Sequence, residues 1–338
     1  MNEQQKQSKS VVVKQFGGYE SVLIEDYKLL SLDDNIEVQV EYGALNFADI
    51  YTRRGFMPHK KLPFVLGIEC TGVVTKIGSQ NNSIKVGQRV ICYDYNGGLY
   101  GETIHIKPSN CFPLPESIDN KLGATIFVNY LTAYFSVLTI GNLKENESVL
   151  ILSCTGGVGT AAIQLSKTVK GVKTFGTGSK IKQPHALENG VDTFYCIDTF
   201  LQDVKGQKFD LIVSNESGRM LEQLQEFLTP LGRIVLIGAN NMLVPNENGD
   251  ASQTDYDKVP LLSLVINNRI VAGLHLGLLL DAQPAKIKAV LDEVFELIEQ
   301  GKLKPIIHSV WKMAEIVEAT KLLEERKNVG KVLIKIKE

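Results

Sequence analysis

From residue 148 to residue 276 the chain repeats one pattern: a short apolar run rich in β-branched residues, a turn, then a helix-length segment. SVLILS leads to TAAIQLSKTV, VKTFG to KQPHALENG, FDLIVS to GRMLEQLQEFL, and GRIVLIG to a polar loop and then RIVAGLHLG. Strands separated by helix-length segments pair in parallel through right-handed crossovers, so this stretch predicts a doubly wound α/β sheet. Its first turn constrains the chemistry as well. Residues 151–159, ILSCTGGVG, carry a strand into glycines and open into a helix. Against the dinucleotide pattern G-x-G-x-x-G, Cys154 stands at the first glycine position, Gly156 at the second and Gly159 at the third. Gly156 would admit a pyrophosphate to the backbone, and Gly159 would let the helix pack closely on the sheet. The helix N-terminus would turn unpaired N–H groups toward the phosphates. The alternative is a plain βα turn.

The second strand discriminates between coenzymes. An NAD site places an acid about 20 residues beyond the glycines, on the ribose hydroxyls. Residues 174–183, TFGTGSKIKQ, contain no carboxylate. They offer Thr177, Ser179, Lys180 and Lys182, which suit a 2′-phosphate, so NADPH is expected over NADH. Lysines just after a strand are also often merely solvated, and each one taken singly stays open.

The remainder is organised differently. Residues 8–118 are strand-rich: SVVVKQF, SVLIEDY, NIEVQVEYGAL, TGVVTKIG, QRVICYDY and ETIHIKP alternate between Gly, Asn and Pro breaks. KLGATIFVNYLTAYFSVL, 121–138, has a helical period, KIKAVLDEVFELIEQ after Pro284 is an amphipathic helix, and KNVGKVLIKIKE closes as a strand. The parallel block is therefore an insert within a β-rich domain. The polar loop 240–258 reads either as a cover over a cleft or as a surface excursion.

A chain of 338 residues accommodates two such domains. A net charge of −2 and a pI near 6.3 leave no basic excess for nucleic acid. Five dispersed cysteines without a C-x-x-C pair argue against a disulfide framework or zinc knuckle and for a reducing compartment. The start, MNEQQKQSKS, lacks the apolar core of a secretory signal. The most apolar stretch, 259–280, is interrupted by Asn267, Asn268 and Arg269, and reads as core strand and helix, not as a membrane span. A cytoplasmic protein is expected.

Several marks together resemble the medium-chain dehydrogenase/reductase family over nearly the whole chain: ALNFADIYTRRG at 44–55, LPFVLGIECTGVVTKIG at 62–78, KVGQRV at 85–90, LTAY at 131–134 and the glycine turn. The resemblance implies a GroES-like β-rich catalytic domain, 8–127 with 277–338, around a Rossmann NADP-binding domain, 128–276. Zinc-dependent members carry Cys, His and Cys where this chain has Asn46, Ile68 and Val128, and their four-cysteine lobe is absent. Three such residues cannot ligate zinc, so a zinc-free member with no metal is expected. Within that branch the chain resembles the quinone oxidoreductases. It is most similar to the vesicle amine transport group, through VNYLTAYFSVLTIGNL, ENGV, NNRIVAGLHLG, KPIIHSVWK and ERKNVGKVL.

The quinone reductase resemblance implies Asn46 and Thr132 at the nicotinamide end and Tyr51 facing substrate. It places Gly156, Gly157, Val158 and Gly159 at the pyrophosphate, Ser179 and Lys180 at the 2′-phosphate, Gly238 on the ribose side, and His275, Leu276 and Gly277 bordering the nicotinamide. Two departures stand out. A second substrate-side tyrosine is replaced by Met57, and a phosphate-clamping tyrosine by Ile197 or Thr199. His59, His105, His185 and His308 have no paired ligand spacing and read as surface or structural; His275 reads equally as a satisfied core histidine. Asp49 and Glu69 read as structural carboxylates, bonding backbone or an arginine such as Arg53.

Without a Lewis acid, an isolated ketone is a poor hydride acceptor. A quinone or enone passes charge to an oxygen that one donor, here the Tyr51 hydroxyl, would stabilise. The expected activity is NADPH-dependent reduction of a quinone or α,β-unsaturated carbonyl by a homodimer whose strand near 269–275 pairs with its copy. The alternative is a weakly catalytic or non-catalytic NADP-binding regulatory protein, peripheral on vesicle or mitochondrial outer membranes, with VPLLSLVI (259–266) touching lipid; the simpler reading of that segment is a dimer interface or cleft wall.

Overall fold

The computed structural model describes residues 6–56, 61–78, 84–238 and 261–337. Two compact units emerge: residues 1–127 with 305–338, and residues 128–304. In the first unit run β1 (Gln7–Val13), β2 (Val22–Lys28), β3 (Ile36–Ala44), β4 (Phe64–Val65), β5 (Glu69–Ile77), β6 (Arg89–Tyr93), β7 (Thr103–Ile106) and β8 (Cys111–Pro113). The second unit holds β9 (Ser148–Ile151), β10 (Lys173–Gly178), β11 (Thr193–Cys196), β12 (Phe209–Ser214), β13 (Leu228–Leu236) and β14 (Ile270–Gly273). The chain then returns to the first unit for β15 (Ile307–Lys312) and β16 (Lys331–Lys335).

The first unit is β-rich. Its large sheet runs β15-β16-β3-β5-β6-β8, with β7 also on β3, and a small sheet runs β2-β1-β4. Only the β15–β16 pair is parallel in the large sheet. The Tyr100 ring is fully buried here. It fits because two glycines face it: a Cβ on Gly43 would come within 2.8 Å of the ring, and one on Gly67 within 2.2 Å.

In the second unit all pairs are parallel, in the order β11-β10-β9-β12-β13-β14. The order reverses between β9 and β12, the switch point beyond whose carboxyl edge ligands bind in doubly wound sheets. β-branched and aromatic residues fill both faces, as a sheet covered by helices requires. One side is a cluster of Leu150, Phe175, Phe200, Phe209, Ile212, Leu224 and Ile234, each side chain contributing about 2 kcal/mol by burial.

Three sequence expectations change. The stretch 121–138 is not one helix but Asn120–Gly123, Phe127–Tyr134 and a wide π turn at Phe135–Thr139, where Ile140 N–H reaches back to Phe135 O. Residues 277–304, assigned from sequence to the β-rich domain, group with the parallel unit. Their helix Pro284–Glu299 buries Ile287, Val290, Leu291, Val294 and Phe295, and its Glu293 accepts the Tyr134 hydroxyl at 2.6 Å. The 261–266 stretch is not core of this chain. It forms the helix Leu261–Asn267, with Leu261, Leu262, Val265 and Ile266 each about 70% exposed. The loop 240–258, Met57 and His59 lie outside the described residues.

Candidate coenzyme and active site

In the second unit, β9 ends at Ile151 and the helix Gly157–Lys167 begins six residues later. The bend is made by Ser153, whose φ of 54° puts a non-glycine residue in the left-handed region. Its backbone N–H donates to Thr177 Oγ1 at 3.1 Å, and Cys154 N–H donates to Thr177 O at 2.9 Å. The turn residue is Ser153, and Cys154, at the first glycine position, is a buried side chain packed against Gly176, with burial pushing its thiol up to about 12. One assignment from sequence is corrected here. Thr177 is fully buried and its hydroxyl supports the turn, so it is scaffold and not a phosphate contact.

The glycines have separable roles. A Cβ on Gly159 would lie 2.3 Å from Ser153 O, so helix and turn touch only because that side chain is missing. A Cβ on Gly157 would strike the Asn129 amide at 2.6 Å. Gly156 is different: its nearest neighbour would be Ser153 O at 3.4 Å, leaving open space over the turn. Gly156 is also the N-cap, and it has no side chain to cap the helix. The N–H groups of Gly157, Val158 and Gly159 therefore start the helix without intrahelical acceptors.

Across the switch point, Asn215 follows β12 and its Nδ2 donates to Ser153 Oγ at 3.4 Å. Its Oδ1 is buried and has no partner among the described residues. An orphaned acceptor beside uncapped N–H groups is the polarity a dinucleotide needs, with phosphates on the helix and a ribose or amide donor on Asn215. Sequence reading missed Asn215; its signal was VSNESG, an amide at the carboxyl end of the fourth parallel strand. Gly238, after β13, would meet only Asn215 Cβ, at 3.9 Å. Ser179 and Lys180 are exposed just past β10, with no carboxylate from 174 to 183. Ile197 N–H bonds Gly178 O at 2.9 Å, so Ile197 lies at that corner, whereas the Thr199 hydroxyl is taken by Asp203 at 2.5 Å. Thr132 is buried on the helix Phe127–Tyr134. His275 is not a core histidine: it is exposed and caps the helix Leu276–Ala282, its Nδ1 accepting Leu278 N–H at 3.1 Å, with Leu276 and Gly277 buried behind it. A cavity of about 230 Å³, lined by Asn142, Glu147, Arg233 and Ile270 among others, lies at the other edge of this sheet and away from the turn.

In the first unit, Asn46 is the N-cap between β3 and the helix Phe47–Arg53. Its side chain is buried and bonded on every side. Nδ2 donates to Ala44 O at 2.8 Å and to Glu69 Oε1 at 3.0 Å, while Oδ1 accepts from Lys331 Nζ at 2.7 Å. Lys331 also pairs with Glu69, both almost fully buried. The amide thus has no spare proton. Asp49 Oδ2 accepts Asn46 N–H at 2.9 Å and meets the Tyr100 hydroxyl at 2.9 Å, while Oδ1 has no partner among the described residues. Burial raises the Asp49 pKa to about 6 against these hydrogen bonds. Tyr100 also donates to Ala44 O at 2.7 Å. A phenol has one proton, and a proton on Asp49 satisfies both contacts.

Of the two partners expected from sequence, backbone or an arginine such as Arg53, Asp49 takes the backbone N–H of Asn46, and neither carboxylate uses Arg53. Arg53 stacks over Tyr19 at 4.3 Å and pairs with Glu324 at 3.2 Å. Tyr51 is half-buried on the same helix, its ring 6.5 Å from Phe47. His105 is structural, joining Leu30 O and Glu37, and His308 Nδ1 accepts Val329 N–H. The positions used for zinc in metal-dependent chains hold a committed amide (Asn46) and two hydrocarbons (Ile68, Val128), a donor set that does not fit a metal. Among the described residues no group of three or more His, Cys, Asp or Glu side chains is arranged to hold one.

Residues 32–116 match the alcohol dehydrogenase GroES-like domain and residues 185–334 the zinc-binding dehydrogenase domain. The human synaptic vesicle membrane protein VAT-1 homolog is 33% identical over 337 residues, 96% of this chain and 85% of that protein. The chain belongs to the medium-chain dehydrogenase/reductase family. The crystal structure of the human VAT-1 homolog-like protein shares this member's fold with a TM-score of 0.85 at 26% identity, covering 98% of this chain and 99% of that one. The fold is also that of a Coxiella burnetii quinone oxidoreductase (TM-score 0.82, 23% identity, 98% and 100% covered) and of a mycobacterial protein solved with NADPH (0.84, 20%, 97% and 99%). The medium-chain dehydrogenase/reductases are oxidoreductases that take a nicotinamide coenzyme. No helix among the described residues is long and apolar enough to cross a membrane.

Proposed function

We propose that this chain is a zinc-independent, NADPH-dependent oxidoreductase that delivers hydride to a quinone or an α,β-unsaturated carbonyl. The observation that carries the reading is the uncapped glycine turn beside the orphaned Asn215 Oδ1, with no acid past β10 to favour NADH. Gly157, Val158 and Gly159 N–H hold the pyrophosphate, and Ser179 with Lys180 the 2′-phosphate. Asn46, its protons spent on Ala44 and Glu69, is the residue that the quinone reductase resemblance assigns to the nicotinamide end, and it has no proton to give there. A bound coenzyme supplies the hydride. Tyr51 donates to the oxygen on which charge develops, and the final proton comes from water. The quinone oxidoreductase and the enoyl reductase among the fold neighbours are in keeping with this class of substrate without fixing its member.

Fluorescence titration with NADPH and NADH, followed by a panel of quinones and enones, tests it. Saturable NADPH binding with turnover of some panel member is the expected result. Coenzyme binding without any turnover would remove the catalytic half of the reading, and no binding of either coenzyme would remove all of it.

One observation favours a second reading. Leu261, Leu262, Val265 and Ile266 project from one short helix next to β14, the edge of the parallel sheet. An apolar surface beside an open strand edge fits a second copy of this chain, or the vesicle surface suggested by the names of the VAT-1 relatives. Sedimentation and liposome flotation of Leu262→Asp/Val265→Asp against wild type separate the two. Loss of dimer alone favours the homodimer; loss of flotation alone favours lipid.

A further inference from the structure

Three of the five cysteines stand side by side in the large sheet of the first unit. Cys70 of β5 is the register partner of Cys92 of β6, and Cys92 is the partner of Cys111 of β8. Residues directly opposite on antiparallel strands project from the same face. The sulfurs therefore form a ladder across three strands, with Cys92 Sγ and Cys111 Sγ 3.6 Å apart. Cys70 and Cys92 are fully buried, and Cys111 is 6% exposed.

The two rungs differ. Leu114 N–H donates to Arg89 O, and Asp94 N–H to Ile68 O. Hydrogen-bonded and non-hydrogen-bonded pairs alternate along an antiparallel ladder. Stepping from those bonds makes Cys92–Cys111 a non-hydrogen-bonded pair and Cys70–Cys92 a hydrogen-bonded one. Such pairs hold their Cα atoms about 4.5 Å and about 5.5 Å apart respectively. A disulfide accepts roughly 4.4–6.8 Å. Both rungs admit a bridge without moving the backbone, and Cys92–Cys111, with the closer side chains, is the favoured one.

We propose that Cys92 and Cys111 form a two-electron oxidation site, which a hydroperoxide converts to a cross-strand disulfide, with Cys70 as the reserve partner of Cys92. β8 is three residues long, follows the turn Pro108–Asn110 and ends the strand path of its sheet. Short edge elements open at lower free energy than central strands, and lifting β8 uncovers the Cys92 sulfur. Cys92, the register partner of both other thiols, is the nucleophile. Hydrogen bonding with Cys111 and then Cys70 holds its pKa down, whereas burial raises those of Cys70 and Cys111, and the Cys111 S–H also lies 3.6 Å from Lys107 O. Its thiolate attacks one peroxide oxygen, the O–O bond breaks, and water or an alcohol leaves with the other oxygen, giving Cys92 sulfenic acid. When β8 closes, Cys111 sulfur attacks Cys92 sulfur. The S–S bond forms, the S–O bond breaks, and the thiol proton leaves with the oxygen as water. Two sulfurs lose two electrons in all, and the peroxide gains them.

The folded full-length protein treated with one equivalent of hydrogen peroxide, alkylated and digested without reduction provides the test by mass spectrometry. The expected product is a peptide pair joined through Cys92 and Cys111. Cys111→Ser is expected to move the bridge to Cys70–Cys92, and Cys92→Ser to abolish both. Cys196, only partly buried, is the internal control. Oxidation of Cys196 with Cys92 and Cys111 recovered as free thiols would overturn the proposal, as would an equal yield of the same bridge in urea. Should the variants not fold, hydrogen exchange on wild type decides. Exchange of the Phe112 amide, in the hydrogen-bonded pair next to the rung, is expected to slow at least tenfold on oxidation and recover with reductant; an unchanged rate overturns the proposal.

Discussion

Replacing Asp49 by asparagine would reshape the pH dependence of folding in a way that can be worked out from the buried cluster around Asn46. Burial, opposed by hydrogen bonds from Asn46 N–H and Tyr100, raises the Asp49 carboxyl from 3.8 to about 6. A carboxyl with a raised folded pKa binds more protons folded than unfolded. Its contribution is therefore most favourable below about pH 4, falls as pH rises to about 6, and is flat above. The difference amounts to about 3 kcal/mol between the protonated and ionised extremes. Asparagine keeps an oxygen for Asn46 N–H but brings no proton to the Tyr100 oxygen, whose own proton goes to Ala44 O, and it places an NH2 where Oδ1 now lacks a partner; together these cost about 1 kcal/mol. The variant is expected to be about 1 kcal/mol less stable than wild type at pH 4 and about 2 kcal/mol more stable at pH 8, with the crossing between.

Urea unfolding followed by the fluorescence of Trp311, the single tryptophan and in the same unit, reads this directly. Glu37 acts in the opposite sense. Burial raises its pKa, but hydrogen bonds from Lys6, His105 and Thr75 bring it down to about 2, so its contribution is lost as pH falls from about 4.5. It is common to both proteins and cancels in the difference. Parallel stability curves for wild type and variant from pH 4 to pH 8 would refute the reasoning.

Lys331→Met should destabilise the first unit by about 3–5 kcal/mol by leaving the buried Glu69 carboxylate without its counter-charge, and Glu69→Gln/Lys331→Met should recover most of that in the same urea assay. Gly156→Ala should leave the melting temperature unchanged and raise the NADPH Kd about tenfold, while Gly159→Ala, with its Cβ against Ser153 O, should lower the melting temperature as well. Tyr51→Phe should lower kcat about 100-fold with NADPH affinity unchanged, measured on whichever quinone or enone the panel selects.

The parallel block was legible because its signals are local: each strand, turn and helix carries its own apolar period, and the uncapped helix after TGG follows from those residues alone. Interactions that depend on register were not. Lys331 sits in GKVLIKIK, where alternation alone gives no warning that its ammonium closes on Asn46 and Glu69. The cysteine rungs join strands whose offset no single segment encodes. Ser153 was missed as the left-handed residue because glycine is the usual occupant, and Thr177 was read as a ligand because a hydroxyl beneath a turn and one above it look alike in one dimension. The exposed apolar helix at Leu261–Asn267 was taken for core because hydrophobicity does not say which surface covers it.

The Lys331 ammonium between Asn46 and Glu69 bears on attempts to engineer catalysis into this scaffold. Installing a thiolate through Asn46→Cys would bring the new ligand to a spot where a fixed cation already neutralises the neighbouring carboxylate. An incoming dication would face repulsion before it met its second donor, so metal-dependent chemistry would have to be rebuilt by removing that lysine first.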